Sequence, residues 1–170
     1  MKDRLNKKHI LIIFALILST KVFSLGIGFT GNFTPTLYEN KTTLQSGITC
    51  SIKTDNIPLS FGIATDWNFT ENYFSFYTSC DWWLFLAEVN PFITFFCGPG
   101  LAVETDFFDF FKSQNDFLLC PRFVTGLSHI FYDGFLETFF QVAFEPSFNL
   151  INANDFSFKV PCNVGVRFYF

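Results

Sequence analysis

From Phe156 to the terminal Phe170, apolar or sulfur-bearing side chains stand at every second position: Phe156, Phe158, Val160, Cys162, Val164, Val166, Phe168 and Phe170. Between them come Ser157, Lys159, Pro161, Asn163, Gly165, Arg167 and Tyr169. Side chains of an extended chain alternate between its two sides, so this period of two predicts one long β-strand with an apolar face and a mostly polar or small face. A helix would scatter the same residues around its circumference.

The same two faces recur upstream. Leu25, Ile27, Phe29 and Phe33 alternate with Gly26, Gly28, Thr30, Asn32 and Thr34 in a first strand that ends near Pro35, and Tyr38 to Thr43 reads as a polar connection. Ile48, Cys50 and Ile52 mark a second strand, and Leu59 to Thr70 a third with Ser60, Gly62, Ala64, Asp66 and Asn68 on its polar side. The fourth runs from about Tyr73 to Glu88, although Trp83 and Phe85 interrupt its polar side. The fifth spans Ile93 to Glu104, the sixth Phe117 to Phe131 and the seventh Phe135 to Glu145. Ser147 to Asp155 reads as a second polar connection, leading into the terminal strand. Asp55-Asn56, Glu71-Asn72 and Asn90-Pro91 supply turn residues. Asp106 to Asp116 breaks the alternation and sets Phe107, Phe108, Phe110 and Phe111 among charges, as a long loop does.

Asp133-Gly134 between two alternating runs is a strong hairpin signal. With that dipeptide as the loop, Phe123 falls opposite Phe144, Leu127 opposite Phe140, and Arg122 opposite Glu145. Apolar then meets apolar and cation meets anion, so turn and register agree.

Eight sequential antiparallel strands remove their exposed edges by closing into an up-and-down barrel. Which face points inward decides the solvent. An eight-stranded barrel has room inside only for its own side chains or one small ligand. The chain carries 28 Phe, with aromatics making up 21% of it, and its apolar faces would overfill such a lumen. The opposite faces hold Gly26, Gly28, Ser51, Gly62, Gly98, Gly100, Gly126 and Gly165, the small residues a narrow interior requires. A continuous outer belt of Phe, Ile and Leu suits a bilayer, where a closed barrel satisfies every backbone group. The predicted fold is therefore all-β: an eight-stranded antiparallel up-and-down transmembrane β-barrel over residues 25–170. A soluble secreted ligand-binding barrel is the less favoured alternative.

The first 24 residues have the pattern of a signal peptide. Lys2, Arg4, Lys7 and Lys8 precede an apolar run from Ile10 to Leu18, and Val22-Phe23-Ser24 offers a cleavage site. About nine unbroken apolar residues are too few for a spanning helix, which needs about 20. Five Cys cannot all pair within one chain, and they read as small hydrophobes, with Cys120 alone on the polar face. No spacing suggests a metal site, and no cofactor is expected. The net charge of −4 gives no attraction for nucleic acid. His129 and Ser128 are neighbours on one strand and face opposite ways, and the chain carries none of the usual hydrolase motifs, so no catalytic residues are assigned.

The series Val164, Val166, Phe168, Phe170 resembles the C-terminal assembly signal of bacterial outer-membrane β-barrels, whose last residue is typically Phe. With the leader and eight strands, the chain resembles the small outer-membrane barrels that occur as adhesins, structural proteins and narrow pores. High Phe, Asn and Lys suit an AT-rich genome such as a spirochaete's. The resemblance implies an outer-membrane location in a diderm bacterium, contact with outer-membrane lipid and the barrel-assembly machinery, and both termini in the periplasm. It also implies either a structural or adhesin-like role toward an extracellular or host ligand, or a porin-like role as a narrow pore for small solutes. Inward charges are expected at Asp66, Asp81, Glu104, Arg122, Glu137, Glu145, Lys159 and Arg167, as a compensating network or as a channel lining. Phe107, Phe108, Phe110 and Phe111 are the candidate loop contacts. Trp67, Phe69, Phe74 and Phe76 are candidates for an aromatic girdle.

Overall fold

The structure is a computed structural model that describes residues 25–38, 41–54, 58–69, 73–106, 117–151 and 156–170. The expected signal peptide, the Asp55-Asn56 and Glu71-Asn72 turns and the four loop phenylalanines lie outside these residues. Ten strand segments form one closed antiparallel sheet: β1 (Leu25–Tyr38), β2 (Lys41–Thr54), β3 (Leu59–Asn68), β4 (Tyr73–Trp82), β5 (Phe85–Asn90), β6 (Ile93–Asp106), β7 (Phe117–Phe131), β8 (Leu136–Asn149), β9 (Phe156–Lys159) and β10 (Cys162–Tyr169). They make eight staves, because β4 and β5 are one stave broken at Trp83 and Leu84, and β9 and β10 one stave broken at Val160 and Pro161. β1 pairs with β9 and β10, which closes the barrel and leaves no edge along the seam.

Register fixes the barrel's shape. The paired path from Gly26 runs through Lys53, Ser60, Asp81 and Gly100 to Arg122, faces Glu145, continues to Lys159 and returns to β1 at Thr36. That return lies ten residues beyond its start. Such a stagger across eight staves tilts the strands by about 40°. A 14-residue strand such as β1 at about 3.3 Å per residue then rises about 35 Å, enough to cross a hydrocarbon layer of about 30 Å.

The apolar face points outward. Phe29, Ile48, Phe61, Ile63, Phe123, Phe140 and Phe144 are exposed, with Ile48 at 66%. The inward positions are chiefly Gly, Ser, Thr, Ala and charge, with Tyr77, Trp83, Phe96, Val124 and Phe139 among them, and Thr30, Ser51, Ser60, Ala64 and Ala102 are buried. Glycine is needed where a large inward neighbour leans across: a Cβ on Gly28 would meet the Arg167 side chain, and one on Gly126 the ring of Phe96. The outer wall is apolar over its whole circumference and the lumen is polar, which is the arrangement of a transmembrane barrel.

Three details depart from the expectations. First, within the polar segment from Tyr38 to Thr43, Tyr38 and the residues from Lys41 onward are strand: β1 runs straight through Pro35, and β1 and β2 stay paired up to Tyr38 and Lys41. Ser147 and Asn149 likewise belong to β8 and point inward, so the last connection shortens to residues 150–155. Polarity there marked the inner face of long strands, since the lumen solvates it.

Second, the fourth stave slips by one residue. Asp81 pairs with Gly100, but Phe85 pairs with Cys97, so two residues, Trp83 and Leu84, stand against Gly98. This is a β-bulge, with Leu84 N donating to Trp82 O at 2.9 Å. It leaves Trp83 in the lumen, where it is buried, and turns Phe85 outside, where it is exposed. Strict alternation had set both of them inward.

Third, the Asp133-Gly134 connection is a four-residue turn with a 3-10 segment at Tyr132–Gly134, Tyr132 at φ 52° and Gly134 at φ 99°. The register is still the expected one, with Phe123 opposite Phe144 and Leu127 opposite Phe140. Both termini of the barrel, the Asn90-to-Ile93 turn and this turn lie at one end. Asp106 of β6 and Phe117 of β7 lie at the other.

Because the outer belt faces hydrocarbon, Ile63→Arg is expected to cost about 2–4 kcal/mol of barrel stability, measured by equilibrium urea unfolding in lipid vesicles. A change of under 0.5 kcal/mol would place that face in water.

Candidate functional site

The feature with chemical content is the lumen, which is crossed by ion pairs at three levels. Nearest the termini, Arg167 reaches from β10 across the barrel: its Nη1 donates to Glu137 Oε2 at 3.0 Å, its Nη2 to Ser60 Oγ on β3 at 3.0 Å and its Nε to Ser51 Oγ on β2 at 3.2 Å. Glu137 also accepts from Lys53 Nζ at 3.0 Å and from the Tyr169 hydroxyl at 2.6 Å. The aromatic floor of this level is Trp83 stacked on Phe96, with ring centroids 3.7 Å apart and planes 9° apart. Lys53 Nζ lies 4.2 Å from the Trp83 ring centroid, and the Arg167 guanidinium 3.8 Å from that of Phe139, close enough for cation–π attraction.

The second level is centred on Arg122 from β7. Its Nη1 lies 3.0 Å from Glu145 Oε1, and its Nε 3.1 Å from Asp81 Oδ1, near enough for an ion pair but not aligned as a hydrogen bond. Arg122 also donates to the Tyr77 hydroxyl, which donates in turn to Glu145 Oε1 at 2.7 Å. Gln141 Nε2 holds the second Asp81 oxygen at 3.1 Å. The third level pairs Lys159 of β9 with Glu104 of β6. Beside it Asn32 Nδ2 donates to Asp66 Oδ1 at 3.2 Å and to Thr49 Oγ1 at 2.5 Å.

All eight expected lumen charges are thus buried on the inner face, none more than 5% exposed. Seven of them join in cross-lumen or neighbouring ion pairs, while Asp66 is held by an amide. Several partners were not singled out in the sequence. Lys53 showed only as a polar strand position. Tyr77 and Tyr169 look like ordinary strand aromatics until the register puts their hydroxyls beside Glu145 and Glu137. Trp83 fell on the inward side by alternation but read only as an interruption of it. Fully desolvated pairs of this kind contribute little net stability over apolar packing but are costly to break singly.

The remaining expected residues lie on the outer wall. Val164, Val166, Phe168 and Phe170 point outward, and Phe168 and Phe170 set their rings edge-on to Phe135, with centroids 5.7 and 6.2 Å apart. Trp67 packs edge-on against Phe74 at 4.1 Å, directly across β3 and β4 at the end opposite the termini. His129 is outward, its Nδ1 in contact with the Phe92 carbonyl oxygen, and Ser128 is buried on the inner face. The two do not meet. The cysteines are free, with Cys120 buried and donating to Ser147 Oγ at 3.2 Å.

No family model and no curated protein matches the chain. Among solved structures it is similar to neisserial surface protein A, with a TM-score of 0.52 at 12% identity over 86% of this chain and 97% of that one. It also aligns with Ail, the attachment invasion locus protein of Yersinia pestis, at a TM-score of 0.48 and 9% identity over 87% and 99% of the two chains. The N-terminal β-barrel domain of Pseudomonas aeruginosa OprF aligns at 0.47 and 12% identity over 85% and 99%. The fold is that of an eight-stranded antiparallel barrel.

Arg122→Met leaves Glu145 and Asp81 buried without their cation and is expected to lower stability by about 3–5 kcal/mol, read as an earlier loss of the heat-resistant folded band and a lower urea midpoint. Lys53→Met, at the rim and with Glu137 still held by Arg167, should cost less than half as much. Equal losses would mean that the central level is not specially desolvated.

Proposed function

We propose that the chain is exported, inserted in the outer membrane of a diderm bacterium, and acts there as a closed structural or surface-interaction barrel. The observation that carries this reading is the combination of an all-round apolar wall with a lumen crossed by paired charge at three levels. The wall requires a bilayer. The crossings obstruct the lumen, since Arg167, Arg122 and Lys159 each bridge staves that are two or more apart. Activity then rests on what leaves the barrel at the end away from the termini, chiefly residues 107–116 and 150–155. With the termini in the periplasm these connections face the cell exterior, and Phe107, Phe108, Phe110 and Phe111 are the apolar contacts offered to an extracellular or host ligand.

Delivery is assigned to two segments. Residues 1–24 act as the cleaved export signal, and the outward series ending at Phe170 is read by the assembly machinery. The C-terminal Phe170 is 77% exposed, so its ring is available to a partner. The chain is not assigned an enzymatic role or a cofactor.

Planar-bilayer recording of the refolded barrel is expected to give no steady channels, together with a heat-modifiable band in the outer-membrane fraction. Sustained unitary conductance would replace the surface-interaction reading with that of a narrow pore. Deletion of Phe170 is expected to leave the precursor exported but to reduce the folded, membrane-inserted fraction severalfold.

A further inference from the structure

Four buried side-chain oxygens in the lumen accept no hydrogen bond from the described residues and line one cavity: Asn32 Oδ1, Glu104 Oε1, Glu145 Oε2 and Asn163 Oδ1. The cavity has a volume of about 30 Å³ and lies between the Arg122 level and the end away from the termini. Asp66, Thr34 and Lys159 complete the wall around it. Glu104 is 2% exposed and Glu145 0%. Neither carboxylate can turn its orphan oxygen to water outside, and a carboxylate offers no donor of its own. Asn32 has its amide nitrogen committed to Asp66 and Thr49, which leaves its oxygen as an acceptor.

Charge is unbalanced in the same place. Among the described residues, this half of the lumen holds four carboxylates, Asp66, Asp81, Glu104 and Glu145, against the two cations Arg122 and Lys159. The half nearer the termini is tipped the other way, with Lys53 and Arg167 around Glu137. Water in the cavity would supply hydrogen-bond donors but no charge, and uncompensated carboxylates are expensive in a narrow lumen. A cation supplies both.

We propose that this cavity is a binding site for one hard, oxygen-liganded cation of the calcium or sodium class, held by Glu104, Glu145, Asn32 and Asn163. The donor set fits the chemistry: carboxylate and amide oxygens are the ligands such ions take, and the volume suits a single ion rather than an organic solute. It does not suit a softer transition metal, because no His or Cys lines the cavity. The ion would tie β1, β6, β8 and β10 together from within, at the level where Val160 and Pro161 interrupt the last stave.

The test is the folded-to-unfolded gel-shift midpoint of the purified full-length barrel in neutral detergent, after chelator treatment and dialysis. Calcium, magnesium and sodium chlorides are compared with tetramethylammonium chloride at matched ionic strength. The occupying ion should raise the midpoint saturably, by about 5 °C at a hundredfold excess over its dissociation constant, and identifies itself by doing so. Glu104→Gln and Asn163→Leu should each abolish that rise. Asn163 takes no part in the ion pairs described above, so Asn163→Leu decides the matter if Glu104→Gln does not fold. A midpoint indifferent to the small ions would overturn the site and leave a hydrated or protonated cavity. A rise that survives in Asn163→Leu would overturn it too, and assign the effect to the barrel surface.

Discussion

Everything in this molecule follows from the requirement that a strand in hydrocarbon leave no backbone group unpaired. An open sheet would expose two rows of N–H and C=O groups, each costing several kcal/mol without water. The chain meets the requirement by pairing its last stave with its first over ten residues of β1. Once the barrel is closed, the stagger of ten and the stave count of eight set the lumen's width. That width dictates which side chains can point inward. Glycines at 28 and 126 are consequences of it, since Arg167 and Phe96 occupy the space their Cβ atoms would need.

The lumen is therefore the one place where the sequence had freedom, and it was filled with charge rather than with Leu and Val. An apolar filling would make inner and outer faces alike. Period-two alternation would vanish, and with it the information that fixes register, because a one-residue slip would no longer carry polar side chains into lipid. Arg122 between Asp81 and Glu145, and Arg167 between Glu137 and two serines, identify particular staves to one another. Buried ion pairs contribute little net stability; here they make wrong registers costly.

That same logic explains what could be read from the sequence and what could not. Alternation is a local signal with a sharp physical cause, so the outward position of Phe123 and Phe144 and the inward position of Arg122 and Glu145 were both legible, as was their pairing across the turn. The polar residues from 41 to 43 were misread as loop because polarity also marks an inner face, and only pairing with β1 separates the two cases. The bulge at Trp83 was illegible for a different reason. Its cause lies on another strand, in Gly98, whose missing Cβ lets the Trp82 carbonyl approach, and in Phe96, whose ring receives the indole.

The bulge also shows how lumen chemistry feeds back on the wall. Beside the slip, Trp83 lies flat on Phe96 and puts a ring face beneath the ammonium group of Lys53, which shares Glu137 with Arg167 and Tyr169. The cost of the slip falls on β5, which among the described residues pairs with β6 alone and presents Phe85 and Val89 outward, 55% and 62% exposed. Apolar exposure of that size is unfavourable in water and favourable against lipid or an interfacial layer, so the bulge is tolerable because the barrel's solvent is a bilayer. A break in a strand, an aromatic floor under an ion pair and an apolar flap at the rim are thus one structural decision, made affordable by the membrane.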